Sequence, residues 1–152
     1  MRSFVVTDLR HVGEVRREAI RLAQNSAFNE LGIGKVALIA TELATYLVKH
    51  ATSGQLLMRM LECEGGMSLE FLSLDRGPGI ANVAKCMEDG HSTAGSLGTG
   101  LGAIVRTSDE FDIYSQADKG TVAVARIASR HTSSSIGVIH QAKQGEPISG
   151  DA

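Results

Sequence analysis

Met67-Ser68-Leu69-Glu70-Phe71-Leu72-Ser73-Leu74 runs directly into Asp75-Arg76-Gly77-Pro78-Gly79, and the change of texture at Asp75 decides how the chain is built. The first part reads as a strand, in which successive side chains point to opposite faces. Leu69, Phe71 and Ser73 then share one face, and Asp75 stands at the end of their row. Residues 76–79 make a stiff loop poor in side chains, because glycines flank a proline whose φ is locked. A carboxylate at such a strand end is either a loop residue facing water or a specific acceptor.

Upstream, residues 55–62 form a second strand, joined to the first by a turn at Glu64-Gly65-Gly66, where glycine tolerates the positive φ that tight turns need. Further back, apolar residues recur at helical spacing from Val12 to Ala23, with Asp8 as the cap and Arg16, Arg17 and Arg21 outside. A longer helix starts from Asn29, runs to about Ala51 and stops at Ser53-Gly54. Residues 3–7 read as a short opening strand. Downstream of the loop, residues 81–97 are polar and glycine-spaced, which predicts a mobile excursion. Gly98-Thr99-Gly100-Leu101-Gly102 then opens a short helix ending near Thr107, and strands come next at 111–115 and 121–127 around a turn at Asp118-Lys119-Gly120. Strands paired as hairpins with helices segregated between them predict an α+β, two-layer sandwich with a mostly antiparallel sheet.

Composition narrows the function. The 152 residues, 43% of them hydrophobic, suit one compact domain. A net charge of −2 and an aromatic content of 4% exclude both the basic field and the stacking surface of a nucleic-acid binder. The two cysteines, Cys63 and Cys86, have no metal-ligand spacing and fit a reduced compartment. No secretory signal opens the chain, and no apolar run approaches the ~20 residues needed to cross a bilayer, so a cytoplasmic protein without membrane contact is expected. Residues 129–135 read as a Ser/Thr/Arg linker, and the tail beyond Ile136 as the start of a second unit.

Three features could carry chemistry. Gly98, Gly100 and Gly102 lead into a helix, where bare N–H groups and the dipole suit phosphates, although such a turn is also ordinary loop chemistry. The Walker and dinucleotide patterns are both absent. Asp75, if it is an acceptor, could recognise an exocyclic amine such as that of adenine. Glu42 and Tyr46 lie one turn apart on one face of the long helix, with Glu42 set among Ile39, Ala40 and Leu43, where an unpaired carboxylate is costly. A solvated helix face is the plain alternative, and Lys49 and His50 can simply complement the dipole.

In this order the elements resemble the GHKL ATPase superfamily and, within it, the anti-sigma regulatory serine kinases of the RsbT/RsbW type. The resemblance rests on the N-box-like Glu42-Leu43-Ala44-Thr45-Tyr46-Leu47-Val48-Lys49-His50-Ala51. It also rests on the glycine boxes Asp75-Arg76-Gly77-Pro78-Gly79-Ile80 and Gly95-Ser96-Leu97-Gly98-Thr99-Gly100-Leu101-Gly102, and on Lys119-Gly120-Thr121. It covers residues 3–128 and implies the Bergerat ATP-binding fold, a mixed, mostly antiparallel sheet covered on one face by helices.

By that resemblance Asp75 accepts the adenine amine, Gly77, Gly79 and Ile80 line the base, and Thr121 supports it. Residues 81–97 form an ATP lid, Gly98, Thr99, Gly100, Leu101 and Gly102 hold phosphates, and Glu42 is the general base. The family places a Mg²⁺-binding asparagine where this chain has Tyr46. Magnesium prefers oxygen ligands in a tight octahedral shell, and a neutral phenol is a poor substitute. The resemblance therefore implies ATP as ligand, impaired Mg²⁺-dependent transfer, an intact adenine half, and a tyrosine that points toward the phosphates.

Two function classes are compatible with these features. One is a bacterial partner-switching kinase of the stress-response, anti-sigma type that phosphorylates a serine of a STAS-domain antagonist. The other is a nucleotide-binding module that sequesters a STAS protein, a sigma factor or a downstream phosphatase. A homodimer is a further implication of the family, and a histidine-kinase fragment is disfavoured because no phospho-accepting helical hairpin is read before the domain. The tail, Ile136-Gly137-Val138 to Ser149-Gly150-Asp151, resembles the opening of RsbX-type serine phosphatases, making 1–128 the kinase-like domain and 129–152 a linker with a truncated phosphatase start.

Overall fold

A computed structural model describes residues 1–88 and 100–129. The elements run β1 (Arg2–Val5), α1 (Leu9–Gln24), α2 (Glu30–His50), β2 (Gln55–Cys63), β3 (Gly66–Asp75), α3 (Val83–Cys86), α4 (Gly100–Thr107), β4 (Glu110–Gln116) and β5 (Gly120–Ala128). One sheet in the order β1-β2-β3-β5-β4 carries all five strands, and every pairing is antiparallel. The sheet is thus not mixed among the described residues. β2–β3 and β4–β5 are hairpins, while the chain crosses from β3 to the edge strand β4, which runs in the same sense as β3, and β5 returns between them.

Local chemistry starts and stops the helices where the sequence marks them. The Asp8 carboxylate accepts the Arg10 N–H at 2.8 Å, and His11 Nδ1 accepts the N–H of Thr7 at 3.1 Å, so α1 starts one turn before its apolar periodicity does. The Asn29 side chain accepts the Gly32 N–H at 2.8 Å to start α2. That helix ends when Ala51 turns extended, and the left-handed residue after it is Ser53, not Gly54. The Gly54 carbonyl instead accepts the Val6 N–H at 2.9 Å and ties the end of β1 to the start of β2.

The helices cover one face of the sheet. Val15, Ala19 and Ala23 of α1, Val36, Ile39, Ala40, Leu43, Ala44 and Leu47 of α2, and Ile104 of α4 pack with Leu56, Met58, Leu69, Phe71, Ala123, Ala125 and Ile127. By length and composition α2 does reach what a bilayer crossing needs, with a mean hydropathy of 1.5, contrary to the sequence expectation. Here its apolar residues form the centre of the core, which accounts for their density.

Two boundaries differ from the sequence reading. Asn82 accepts the Lys85 N–H at 3.0 Å and caps the single turn α3, inside a segment expected to have no regular structure. Ser129, assigned to the linker, lies just past β5 but is still tied to β3: its N–H donates to the Met67 carbonyl at 2.7 Å, and its hydroxyl bonds the same residue. The rest of the expected linker and phosphatase-like tail, and lid residues 89–97, lie outside the described residues.

Candidate functional site

Strand register builds a polar row at one end of the core face. Asp75 of β3 pairs with Thr121 of β5, which pairs with Ser115 of β4. Paired residues share a face, so this row continues Ser73–Ala123–Ile113 and Phe71–Ala125–Phe111 outward from the core. Asp75 is only 8% exposed and Thr121 only 3%.

Asp75 is half satisfied. Its Oδ1 accepts the Gly77 N–H at 2.6 Å, while its Oδ2 is buried with no partner. Burial pushes the carboxyl pKa up, against the opposing pull of the Gly77 N–H and of nearby His50. An unpaired buried acceptor costs on the order of 1–3 kcal/mol, a penalty that a ligand donor would remove.

Hydroxyls continue the row in one direction. Tyr46 O–H donates to Thr121 Oγ1 at 3.3 Å, Thr121 and Ser115 share a bond of 2.8 Å, and Ser115 donates to the Gly120 carbonyl at 3.2 Å. Ser115 Oγ also accepts the Ile80 N–H at 2.7 Å, which fixes the loop after the glycine box to β4. Sequence reasoning missed Ser115. Its only signal was position, since it faces Thr121 directly once the β4–β5 hairpin is in register.

The glycines of this loop serve the chain's own packing. A side chain at Gly77 would lie 2.5 Å from the His50 carbonyl at the end of α2. Gly79 has φ +79°, and a side chain there would run into the Gln116 carbonyl. Both contacts hold the loop between α2 and the β4–β5 turn, which brings Ile80 beside the polar row.

Glu42 lies one turn before Tyr46 on α2. Burial pushes its carboxyl up, partly offset by Lys49. A methyl placed on Gly100 would sit 3.7 Å from Glu42 Oε2, so the carboxylate faces the first turn of α4. Gly100, Leu101 and Gly102 are in that turn and helical, the latter two buried; Gly98 and Thr99 lie outside the described residues. Glu42 and α4 thus form one end of the site, and Asp75, Thr121 and Ser115 the other.

Tyr46 departs from expectation. Its ring lies 5.0 Å from that of His50 at a tilt of 38°, and its hydroxyl reaches Thr121, not the α4 end. Burial pushes the phenol pKa up, the Thr121 bond works the other way, and Asp75 and Cys86 add to the rise. The physical reason is reach: a phenol extends past the helix surface to the sheet. The half expected to be intact is therefore the half this side chain touches. His50 is held below the usual histidine range by burial first, and by Lys49, with Asp75 opposing.

The profile of the histidine kinase-like ATPase domain family matches residues 5–127. The chain belongs to this family. It is 42% identical over 108 residues to "Serine/threonine-protein kinase RsbT" of Bacillus subtilis (strain 168), which spans 68% of this chain and 80% of that relative. Among solved structures, the mycobacterial sensor histidine kinase MprB shares the fold with a TM-score of 0.54 at 14% identity, covering 85% of this chain and 97% of that one.

A histidine kinase-like ATPase domain implies a nucleotide and usually a magnesium ion, and this chain's residues suit the two unequally. The orphaned Asp75 Oδ2 beside the Thr121 hydroxyl is a polar set suited to a base edge. Tyr46 offers no carbonyl or carboxylate oxygen to a hard cation, and its hydroxyl is engaged elsewhere. Among the described residues, no group of three His, Cys, Asp or Glu side chains is placed to hold a metal. The base end thus suits an exocyclic amine, and Tyr46 supplies no ligand of the kind that magnesium prefers.

Proposed function

We propose that the chain is an ATP-binding regulatory protein-serine kinase of a bacterial partner-switching pathway, acting in the cytoplasm on a STAS-domain antagonist. The observation that carries the reading is the buried, unpartnered Asp75 Oδ2 at the end of the core face, opposite a raised-pKa Glu42 that faces the first turn of α4. Asp75 would accept the exocyclic amine of the base, with Thr121 and Ser115 behind it. The first turn of α4, with Gly100, Leu101 and Gly102, would face the phosphates. ATP supplies the transferable phosphoryl group when bound. Glu42, whose carboxyl pKa is pushed up by burial and partly offset by Lys49, would take the proton of the target serine hydroxyl as general base. Positioning and charge stabilisation supply the rest of such a transfer.

The second reading, a module that sequesters its partner without transferring phosphate, is favoured by Tyr46 alone. Phosphate transfer from ATP to a purified STAS-domain protein separates the two, measured for this chain, Tyr46→Asn and Tyr46→Asn with Glu42→Gln. The kinase reading expects transfer by Tyr46→Asn, reduced roughly 10²–10⁴-fold by the added Glu42→Gln. Transfer by neither this chain nor Tyr46→Asn abandons the kinase and leaves the sequestering module.

A further inference from the structure

Tyr46 raises a question that its position in the N-box-like segment does not answer. Its hydroxyl is bonded to Thr121 at 3.3 Å, across the gap between α2 and the sheet. Beyond Thr121 come Ser115 and Gly120, in a chain of hydrogen bonds with one consistent direction whose outermost donor is Tyr46. Asp75, next to Thr121 in the same row, keeps one oxygen without a partner. A base that donates to Asp75 while resting on Thr121 would need the place where the phenol now ends.

We infer that Tyr46 is an internal occupant of the base end of the site, an autoinhibitory contact that must swing off Thr121 before a purine can bind. The inference rests on the nucleotide reading above and adds a cost that is independent of metal. The apparent affinity of such a site is its intrinsic affinity multiplied by the fraction of molecules with the ring displaced. The His50 ring, 5.0 Å from that of Tyr46, holds the phenol from the helix side, so the closed arrangement has contacts at both ends. Asp75 Oδ2 stays unsatisfied in it, which leaves the arriving base its anchor.

The test is calorimetric titration of the full chain with ADP in the presence of EDTA, comparing wild type, Tyr46→Phe and Tyr46→Ala, each checked for folding by its thermal melt. Tyr46→Ala should bind roughly tenfold or more tightly than wild type, and Tyr46→Phe, which loses only the hydroxyl, roughly threefold more tightly. Should the alanine variant not fold, the phenylalanine variant decides on its own. Equal metal-free affinities would overturn the inference and leave the nucleotide reading standing, because Tyr46 would then act through the metal alone. Binding by none of the three would overturn the nucleotide reading and this inference with it. The chain has two tyrosines and no tryptophan, so tyrosine fluorescence of a Tyr114→Phe variant reports Tyr46 alone. Saturating ADP should change that signal, and an unchanged signal with measurable binding would equally overturn the inference.

Discussion

Glu70 and Asp75 are two buried carboxylates on the same strand, and the fold treats them in opposite ways. An odd separation along β3 puts them on opposite faces of the sheet. Glu70, 7% exposed, sits in a cross-strand row Arg59–Glu70–Arg126–Glu110 on the face without helices. Each of its oxygens takes a guanidinium N–H at 2.6 Å, one from Arg59 and one from Arg126. Burial alone would push its carboxyl up, but the bonds and charges of Arg126 and Arg59 outweigh burial and hold it below the usual range. Asp75, under the helices, has one backbone donor and one empty oxygen, and burial wins. Similar burial with opposite pKa directions separates a carboxylate that holds strands together from one kept ready for a ligand.

The largest expected effect sharpens that contrast at Asp75. Asp75→Asn keeps an oxygen for the Gly77 N–H but replaces the empty acceptor with a donor. ADP affinity, measured by calorimetry in the Tyr46→Ala background, should fall roughly ten- to hundredfold, the value of a hydrogen bond to a charged group. The melting temperature should hold or rise, because an uncompensated buried charge is removed. A large loss of stability without loss of binding would make Asp75 a structural residue like Glu70.

Glu70→Gln should do the reverse, and more mildly. Its arginine partners are substantially exposed, at 46% and 39% of their side chains, so solvent screens the pairs. Stability should drop by about 1 kcal/mol, a few degrees in melting temperature, with ADP affinity unchanged. A change in affinity would break the comparison from the other side.

The smallest effect is in pH dependence, and its sign differs between the two residues. The folded pKa of Glu70 is depressed, so its contribution is present above the unfolded value near 4.5 and is lost as pH falls through the folded value. The Glu70→Gln deficit should therefore shrink on acidification below that range. The folded pKa of Asp75 is raised above 3.8, so the wild type is relatively favoured below 3.8 and loses that advantage as pH rises through the folded value. Any stability gain of Asp75→Asn should accordingly appear only at the higher pH. Melting curves of both variants against wild type across the acid range check both signs.

Much of the fold is legible in local stretches of the chain. Strand–turn–strand punctuation at Glu64-Gly65 and at Asp118-Lys119, the caps Asp8 and Asn29, and the apolar periodicity of α2 are local signals, and the elements lie where those signals place them. The position of Asp75 on the core face beyond Ser73 comes from the alternation of β3 alone. Periodicity misplaces the start of α1 by a turn, because a cap works through polar atoms that an apolar pattern does not register. It also understates the apolar density of α2, because the few charges Glu30, Lys35, Glu42 and Lys49 break up the run. Ser115 escapes a sequence reading because a serine on an edge strand means nothing until its partner across the ladder is known.

The sequence by itself determined the five strands and the three longer helices, though not the single turn α3. It also determined that Glu42 and Tyr46 share a helical face and that Asp75 closes a core row. Each of these depends on residues within a turn or a few positions of one another, where backbone geometry leaves little choice. Only the tertiary structure decided which end of the site each side chain serves. The Tyr46–Thr121 bond joins residues 75 positions apart, and the empty Asp75 oxygen exists because α2, β5 and the Gly77 loop pack around it. Such relations are set by strand register and by the distance at which a helix rests on a sheet. Neither quantity is written in any local stretch of the chain.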